Sequence, residues 1–154
     1  MKLIQLKNLK NAEQNKKLNK VYRHFLALTA DLEDKQLPLS IIDVINEEIS
    51  TINQFSGTDK ALIKQIQHCT KTILKTLEED LNIVPKHHYQ NLWMVYGMSI
   101  GILFTVIVTT VGYENTWTSF PMGLSMGLIF GLLAGKNRDD KAKKMNLQLN
   151  NYTI

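Results

Sequence analysis

An uncharged stretch of twenty-one residues in the second half of the chain constrains the fold more than any other feature. It runs from Leu92 to Gly112 and reads LWMVYGMSIGILFTVIVTTVG. At about 1.5 Å per residue, an α-helix of this length extends about 31 Å, which matches a bilayer core of about 30 Å. The rest of a 154-residue chain offers too little apolar sequence to enclose such a helix. The stretch therefore predicts a membrane span at residues 92–112.

A second uncharged stretch follows after a short connection. It covers residues 116–135, is rich in glycine, and carries Pro121 near its start, where the first turn of a helix tolerates proline. Because the connection is so short, we expect the second stretch to return across the bilayer beside the first. Residues 86–135 are then predicted to form a transmembrane α-helical hairpin.

The residues at the ends of the two stretches predict the orientation. Lys86 precedes the first span, and Lys136 and Arg138 follow the second, whereas the connection contains no Lys or Arg. Trp93 and Trp117 stand near span ends, where indole rings favour the membrane interface. The positive-inside rule thus predicts a multi-pass protein of the cell inner (cytoplasmic) membrane with both termini in the cytoplasm.

Small residues recur at every fourth position in both predicted spans. The first span carries Gly97, Gly101 and Thr105, and the second carries Gly123, Gly127, Gly131 and Gly135. Each glycine in a helix interior costs about 1 kcal/mol relative to alanine, so the pattern needs a compensating gain. In lipid that gain is close approach between helices. Two alternatives follow: the stripes pack on each other within one chain, or one of them packs on another copy and forms a homo-oligomer.

Three segments resemble small bacterial membrane proteins often called glycine-zipper proteins. They are VPKHHYQNLWMVYGMSIG, the ladder GLSMGLIFGLLAG and the tail DKAKKMNLQL, and they lie within about residues 84–149. Members of this group close the ladder with an acidic residue, a Lys/Ala stretch and a Gln-Leu pair, which here are Asp140 to Lys144 and Gln148-Leu149. Basic residues at 136 and 138 depart from the usual form. The resemblance implies a two-span topology and close helix packing.

Residues 1–85 predict a cytoplasmic helical domain. Apolar residues recur there at helical spacing, and Pro38, Ser56-Gly57 and Pro85 separate three amphipathic segments. The predicted seam of this domain consists of Ile42, Ile45, Ile49, Ile52, Ile66, Ile73 and Leu77. We therefore predict an all-α fold, in which a cytoplasmic antiparallel helical bundle or long helical hairpin precedes the transmembrane hairpin. Residues 136–154 are predicted to be a basic cytoplasmic tail.

Two local features of residues 1–85 also give expectations. Ser40 and Asp43 resemble a capping pair for the second helix. The first ten residues alternate leucines with lysines, so they either continue the first helix or lie on the membrane surface. The start of the chain has no apolar stretch of signal-peptide length, and we expect the N-terminal part to stay in the cytoplasm.

The sequence offers no constellation typical of catalysis. Cys69 is the single cysteine and falls on an apolar helical stripe, which predicts a core thiol and not a nucleophile activated by His68. His87 and His88 are adjacent and point about 100° apart on a helix, so we interpret them as interfacial residues and not metal ligands. We predict no enzyme activity, no catalytic or metal residues and no cofactor. The scattered basic residues also argue against a nucleic-acid partner.

Two functions fit these features. The first is a non-enzymatic membrane protein that self-associates through its small-residue faces and presents a cytoplasmic helical domain for docking of a protein partner. The alternative is an oligomeric pore or membrane-disrupting effector gated by that domain. In both, membrane lipid surrounds the hairpin.

Overall fold

Five helices and two short strands make up the described part of the chain, which is mostly helical, as the sequence predicts. The computed structural model describes residues 3–7, 15–110 and 116–153, with side chains outside 116–119. The elements are α1 (Lys16–Glu33), α2 (Leu39–Gln54), α3 (Asp59–Leu81), β1 (Val84–Lys86), α4 (His88–Thr110), α5 (Thr116–Lys144) and β2 (Gln148–Thr153). The strands β1 and β2 pair in a two-stranded sheet.

The chain divides into two compact units. The first unit contains Met1–Pro85 together with Leu149–Tyr152, and the second contains Lys86–Gln148 with the last two residues. In the first unit α3 packs against both α1 and α2, and in the second α4 packs against α5. Residues Leu149–Tyr152, near the end of the chain, therefore belong to the same unit as its first half.

The helices of the first unit are capped in different ways. Asn15 caps α1, because its side-chain oxygen accepts the amides of Lys17 and Leu18 at 3.1 and 3.3 Å. The start of α2 follows Pro38 and has no side-chain cap, so the predicted capping pair in that helix is wrong. Asn82 ends α3 in the left-handed conformation, with φ of 54°.

The core of the first unit is built from one apolar stripe on each helix. Its most enclosed side chains include Phe25 and Leu28 of α1, and the fully buried set is Leu18, Phe25, Leu28, Leu32, Ile45, Ile49, Ile66, Cys69, Ile73, Leu77, Val84 and Leu149. Ile52 is also buried, whereas Ile42 is only half-buried and Ile41 takes the enclosed position at the start of the stripe. The predicted seam is thus displaced by one residue at this end of α2.

Residues Leu3–Lys7 do not continue the first helix, which is one of the two alternatives expected for the N-terminus. They have no regular secondary structure, and asparagine side chains of α2 bind their backbone. The amide of Ile4 donates to Asn46 Oδ1 at 2.8 Å, and the amide of Lys7 donates to Asn53 Oδ1 at 2.7 Å. Asn53 Nδ2 returns a bond to the carbonyl of Gln5 at 3.1 Å. The segment is therefore extended along α2.

Residues 136–153 are ordered into a helix end and a strand. After Lys144, the amide of Leu147 donates to the carbonyl of Ala142 and Asn146 adopts a φ of 58°, which is a Schellman ending. The strand β2 follows, and its residues Leu149 and Tyr152 are buried. What the sequence presents as a basic tail thus contains the last turns of α5 and an ordered strand.

One helix among the described residues, α4, is long and apolar enough to cross a membrane. The described part of α5 does not meet the same test of length and apolar composition, and four of the residues in its uncharged part are glycine. Its length and composition alone therefore do not identify a second span.

Candidate functional site

The small residues of α4 and α5 face each other and form one continuous contact, which we call the glycine seam. It consists of Gly97, Gly101, Thr105, Gly123, Gly127, Gly131 and Gly135. Gly101 lies against Gly123, Gly97 lies against Gly127, and Gly131 lies against the backbone of Trp93. Each later glycine of α5 lies against an earlier residue of α4, so the two helices are antiparallel. Both stripes are used within one chain.

The seam has no room for a side chain at its glycines. A Cβ on Gly97 would meet the carbonyl oxygen of Gly127 and lie 2.9 Å from the Cα of Gly131. A Cβ on Gly135 would lie 2.5 Å from the Cα of Gln90. These neighbours are backbone atoms, which cannot turn away as a flexible side chain can. Close backbone approach is therefore the gain that offsets the low helix propensity of glycine.

Hydroxyl groups on this helix pair bond to their own helices. Thr105 is buried in the seam, and its Oγ1 donates to the carbonyl of Gly101 at 3.0 Å. Ser99 and Ser125 donate to Val95 and Met122 carbonyls, both at 3.0 Å. Such bonds satisfy a hydroxyl donor without water.

The outer surface of the α4–α5 pair is strongly apolar. Its exposed large side chains are Leu92, Val95, Tyr96, Ile100, Ile102, Leu103, Phe104, Val106 and Ile107 on α4, and Phe120, Met122, Met126, Ile129, Phe130 and Leu133 on α5. Monomers of soluble proteins rarely expose contiguous apolar surface, and such a face marks a contact with a partner or with lipid.

Asp139 closes one end of the seam and was missed in the sequence. It stands four residues after Gly135, on the same face of α5, and is only 6% exposed. Its Oδ1 and Oδ2 accept the amides of Tyr89 and Gln90 at 3.1 and 3.0 Å. These amides belong to the first turn of α4, where they have no partner within the helix. Asp139 thus caps α4 from the neighbouring helix, whereas Asp140, which the resemblance selects, is exposed.

Four of the five predicted interface anchors, Lys86, Trp93, Lys136 and Arg138, lie at the same end of the second unit. The guanidinium of Arg138 lies 4.8 Å from the ring centroid of Trp93, a cation–π contact. Lys86 and Lys136 are exposed. The side chain of Trp117 lies outside the described residues.

Asp31 is a second buried carboxylate that the sequence did not single out. It lies on α1, is 3% exposed, and accepts three hydrogen bonds from the end of the chain. Its Oδ2 accepts the amides of Asn151 and Tyr152 at 2.7 and 2.9 Å, and its Oδ1 accepts Asn151 Nδ2 at 2.6 Å. The sequence signal was weak, because an aspartate within an amphipathic helix is usually solvated.

Cys69 is enclosed, as its apolar stripe predicts. The side chain is fully buried, and burial raises the pKa of its thiol to about 12, with Glu48 adding to the shift. Such a thiol is protonated at neutral pH and is a poor nucleophile. Across the described ranges, no three His, Cys, Asp or Glu side chains group closely enough to hold a metal ion.

Comparisons of this chain with protein-family models, with curated proteins and with solved structures find no match.

Proposed function

We propose that the chain is a non-enzymatic membrane anchor that presents a helical domain. In this proposal α4 and α5 form a transmembrane hairpin, and the first unit is a three-helix bundle on the cytoplasmic side that docks a protein partner. This topology is also the one that the resemblance to glycine-zipper proteins implies.

The observation that carries the proposal is that the first unit contains residues from both sides of the α4–α5 pair in the sequence. Leu149–Tyr152 belong to the same compact unit as residues 1–85, so both parts of the chain lie on one side of any membrane. The chain must then cross an even number of times between Pro85 and Leu149. The length and composition of α4 support one crossing, and with that crossing the proposal includes a second. The other described helix in this interval is α5.

Surface composition supports the same arrangement. Large apolar side chains cover the outside of the α4–α5 pair, and the glycines of the seam inside it lie against backbone and the Thr105 side chain with no room for a Cβ. Lys136, Arg138, Lys141, Lys143 and Lys144 follow the apolar part of α5, whereas the sequence between the spans has no Lys or Arg. The positive-inside rule then assigns the first unit to the cytoplasm.

The glycine seam bears on self-association of the chain. The stripes that would join two copies already pack on each other within one chain. Association through the same glycines would require the helix pair to open, so the anchor does not depend on a second copy. The seam also leaves no passage between α4 and α5, and the pore alternative gains no support from it.

Labelling of single cysteines tests the topology. In a Cys69→Ser background, Glu33→Cys, Lys144→Cys and Glu114→Cys are exposed in turn to a membrane-impermeant maleimide. We expect positions 33 and 144 to react in inverted vesicles only, and position 114 in right-side-out vesicles only. Reaction of positions 33 and 144 from opposite sides would refute the proposed anchor.

Site-specific crosslinking in cells tests the docking role. Leu39 is an apolar residue that stands 62% exposed at the start of α2, and a photoreactive amino acid there would contact a docked protein. We expect one discrete heavier product that disappears when the photoreactive group is moved to Lys71, an exposed position on α3. The absence of any product from several exposed positions of the first unit would contradict docking.

A further inference from the structure

The last residues of the chain complete the first unit, and we call Leu149–Tyr152 the C-terminal clasp. Leu149 is fully buried and Tyr152 is 6% exposed, while Asn150 between them is exposed. Within this unit the ring of Tyr152 lies 4.8 Å from the ring of His24 on α1. The clasp therefore adds two enclosed side chains to a core that helices α1–α3, with Ile83 and Val84, otherwise form.

Asp31 fixes which residues of the clasp bind α1. Its carboxylate accepts two consecutive backbone amides and the side-chain amide of Asn151, all within 2.9 Å. Charge-assisted bonds of this kind are stronger than bonds between neutral groups. Without the clasp, the Asp31 carboxylate would face solvent. The apolar surface of the first unit on which Leu149 packs would also face solvent. The first unit is consequently incomplete until residues 149–152 reach it.

We propose that the clasp makes completion of the first unit conditional on the return of the chain across the membrane. This inference rests on the proposed function, because the clasp lies beyond α5 and reaches the first unit only after α5 has crossed. A chain in which only α4 inserts would leave its clasp on the opposite side. Its first unit would then lack Leu149, Tyr152 and the partners of Asp31, and would open more often.

Cys69 provides the measurement, since it is the single cysteine of the chain and is fully buried. Its alkylation rate in purified membranes, with a membrane-permeant maleimide, reports opening of the first unit. A chain that ends at Gln148 is expected to react at least tenfold faster than the full chain. Leu149→Ala should also react faster, whereas Asn150→Ala, a change at the exposed neighbour, should match the full chain. If the chain ending at Gln148 reacts at the full-chain rate, the clasp has no such role, and the proposed anchor is unaffected.

A double variant and its control test whether completion of the first unit depends on the crossing of α5. The double change Phe130→Arg and Leu133→Arg places two charges in the apolar part of α5 and should prevent its insertion. We expect Cys69 in this variant to react as fast as in the chain ending at Gln148, and a peptide of residues 147–154 to slow the reaction in both. Met145→Arg adds a charge beyond α5 and is the control, for which the full-chain rate is expected.

The outcomes separate the two proposals. If the arginine pair prevents crossing but Cys69 stays as slow as in the full chain, the clasp does not depend on crossing. If a maleimide label at position 144 of the full chain lies across the membrane from one at position 33, the anchor proposal itself fails. Fast alkylation of Cys69 in the chain ending at Gln148 and in the double-arginine variant, slowed in each by the peptide, would establish that completion of the first unit depends on crossing.

Discussion

Gly127 is the residue at which the seam can be tested most directly. A Cβ there would meet the carbonyl of Gly97 and lie 2.9 Å from the Cα of Gly101. Gly127→Leu should therefore force α4 and α5 apart, and we expect a loss of about 3 kcal/mol, the upper part of the range for overpacked sites. Met126→Leu, at the exposed neighbouring position, should change stability little. Thermal unfolding of both variants in one detergent measures the difference, and equal midpoints would refute the seam.

Asp139 makes a separate contribution at the end of the seam. Asp139→Ala removes the acceptor for the amides of Tyr89 and Gln90, and loss of a cap costs about 1 kcal/mol. We expect these two amides to exchange hydrogen faster, by about fivefold, which is the factor that about 1 kcal/mol gives. Asp140→Ala removes the same charge from an exposed position and is the control. Similar exchange rates in the two variants would show that the carboxylate does not cap α4.

The Cys69 thiol predicts a pH dependence of stability. Its ordinary pKa of 9.0 is raised to about 12 in the folded chain, chiefly by burial. Below pH 9 the thiol is protonated in both states, so its contribution to stability is fully present there. Above pH 9 the unfolded chain releases the proton first, and the contribution declines as the pH rises towards 12. Urea unfolding should show a steeper loss of stability between pH 8 and pH 10 in the wild type than in Cys69→Ala, and parallel curves would contradict this.

At the scale of elements, helical periodicity predicted most of the first unit. The spacing identified Ile45, Ile49, Ile66, Ile73 and Leu77, all of which are buried. It failed at the start of α2, where Ile41 and Ile42 are adjacent and the apolar pattern fits either. The fold buries Ile41 and leaves Ile42 half-buried. The same ambiguity exists in α1, where Leu26 and Leu28 are equally apolar and the fold buries Leu28 but leaves Leu26 38% exposed.

This displacement gives a test of the α2 stripe. Ile41→Ala removes a side chain that is 5% exposed and should cost about 2–5 kcal/mol. Ile42→Ala alters a half-buried side chain by the same atoms and should cost less than half as much. Urea unfolding of the two variants gives the comparison. A larger loss in Ile42→Ala would favour the seam as the sequence first indicated it.

At the scale of the whole molecule, the sequence predicted the helical class, whereas the two buried carboxylates emerged only from the structure. Asp31 meets its partners 120 residues later in the chain, and no local pattern records so distant a pairing. The strand β2 is short and polar, with two consecutive asparagines, and β propensity alone does not identify it. Asp139 was closer to prediction, because it continues the four-residue spacing of the glycines.

The number of chains in each nanodisc follows from how the glycine seam is used. Because the glycine seam is satisfied within one chain, we expect one chain of 17.6 kDa for each disc. Mass photometry or light scattering with the lipid contribution subtracted measures this number. A defined oligomer would show that the outer apolar surface, and not the seam, joins copies of the chain.

The glycine seam also has a consequence for the entropy of assembly. Packing a leucine or methionine between helices freezes rotamers, at a cost of about 0.5–2 kcal/mol for each side chain. Glycine has no rotamer to freeze, and the backbone freedom of these residues is already lost when each helix forms. Bringing α4 and α5 together therefore immobilises almost nothing further along their line of contact. Most of the dispersion energy gained there is retained as net attraction, although no apolar side chain interlocks across the six glycine positions.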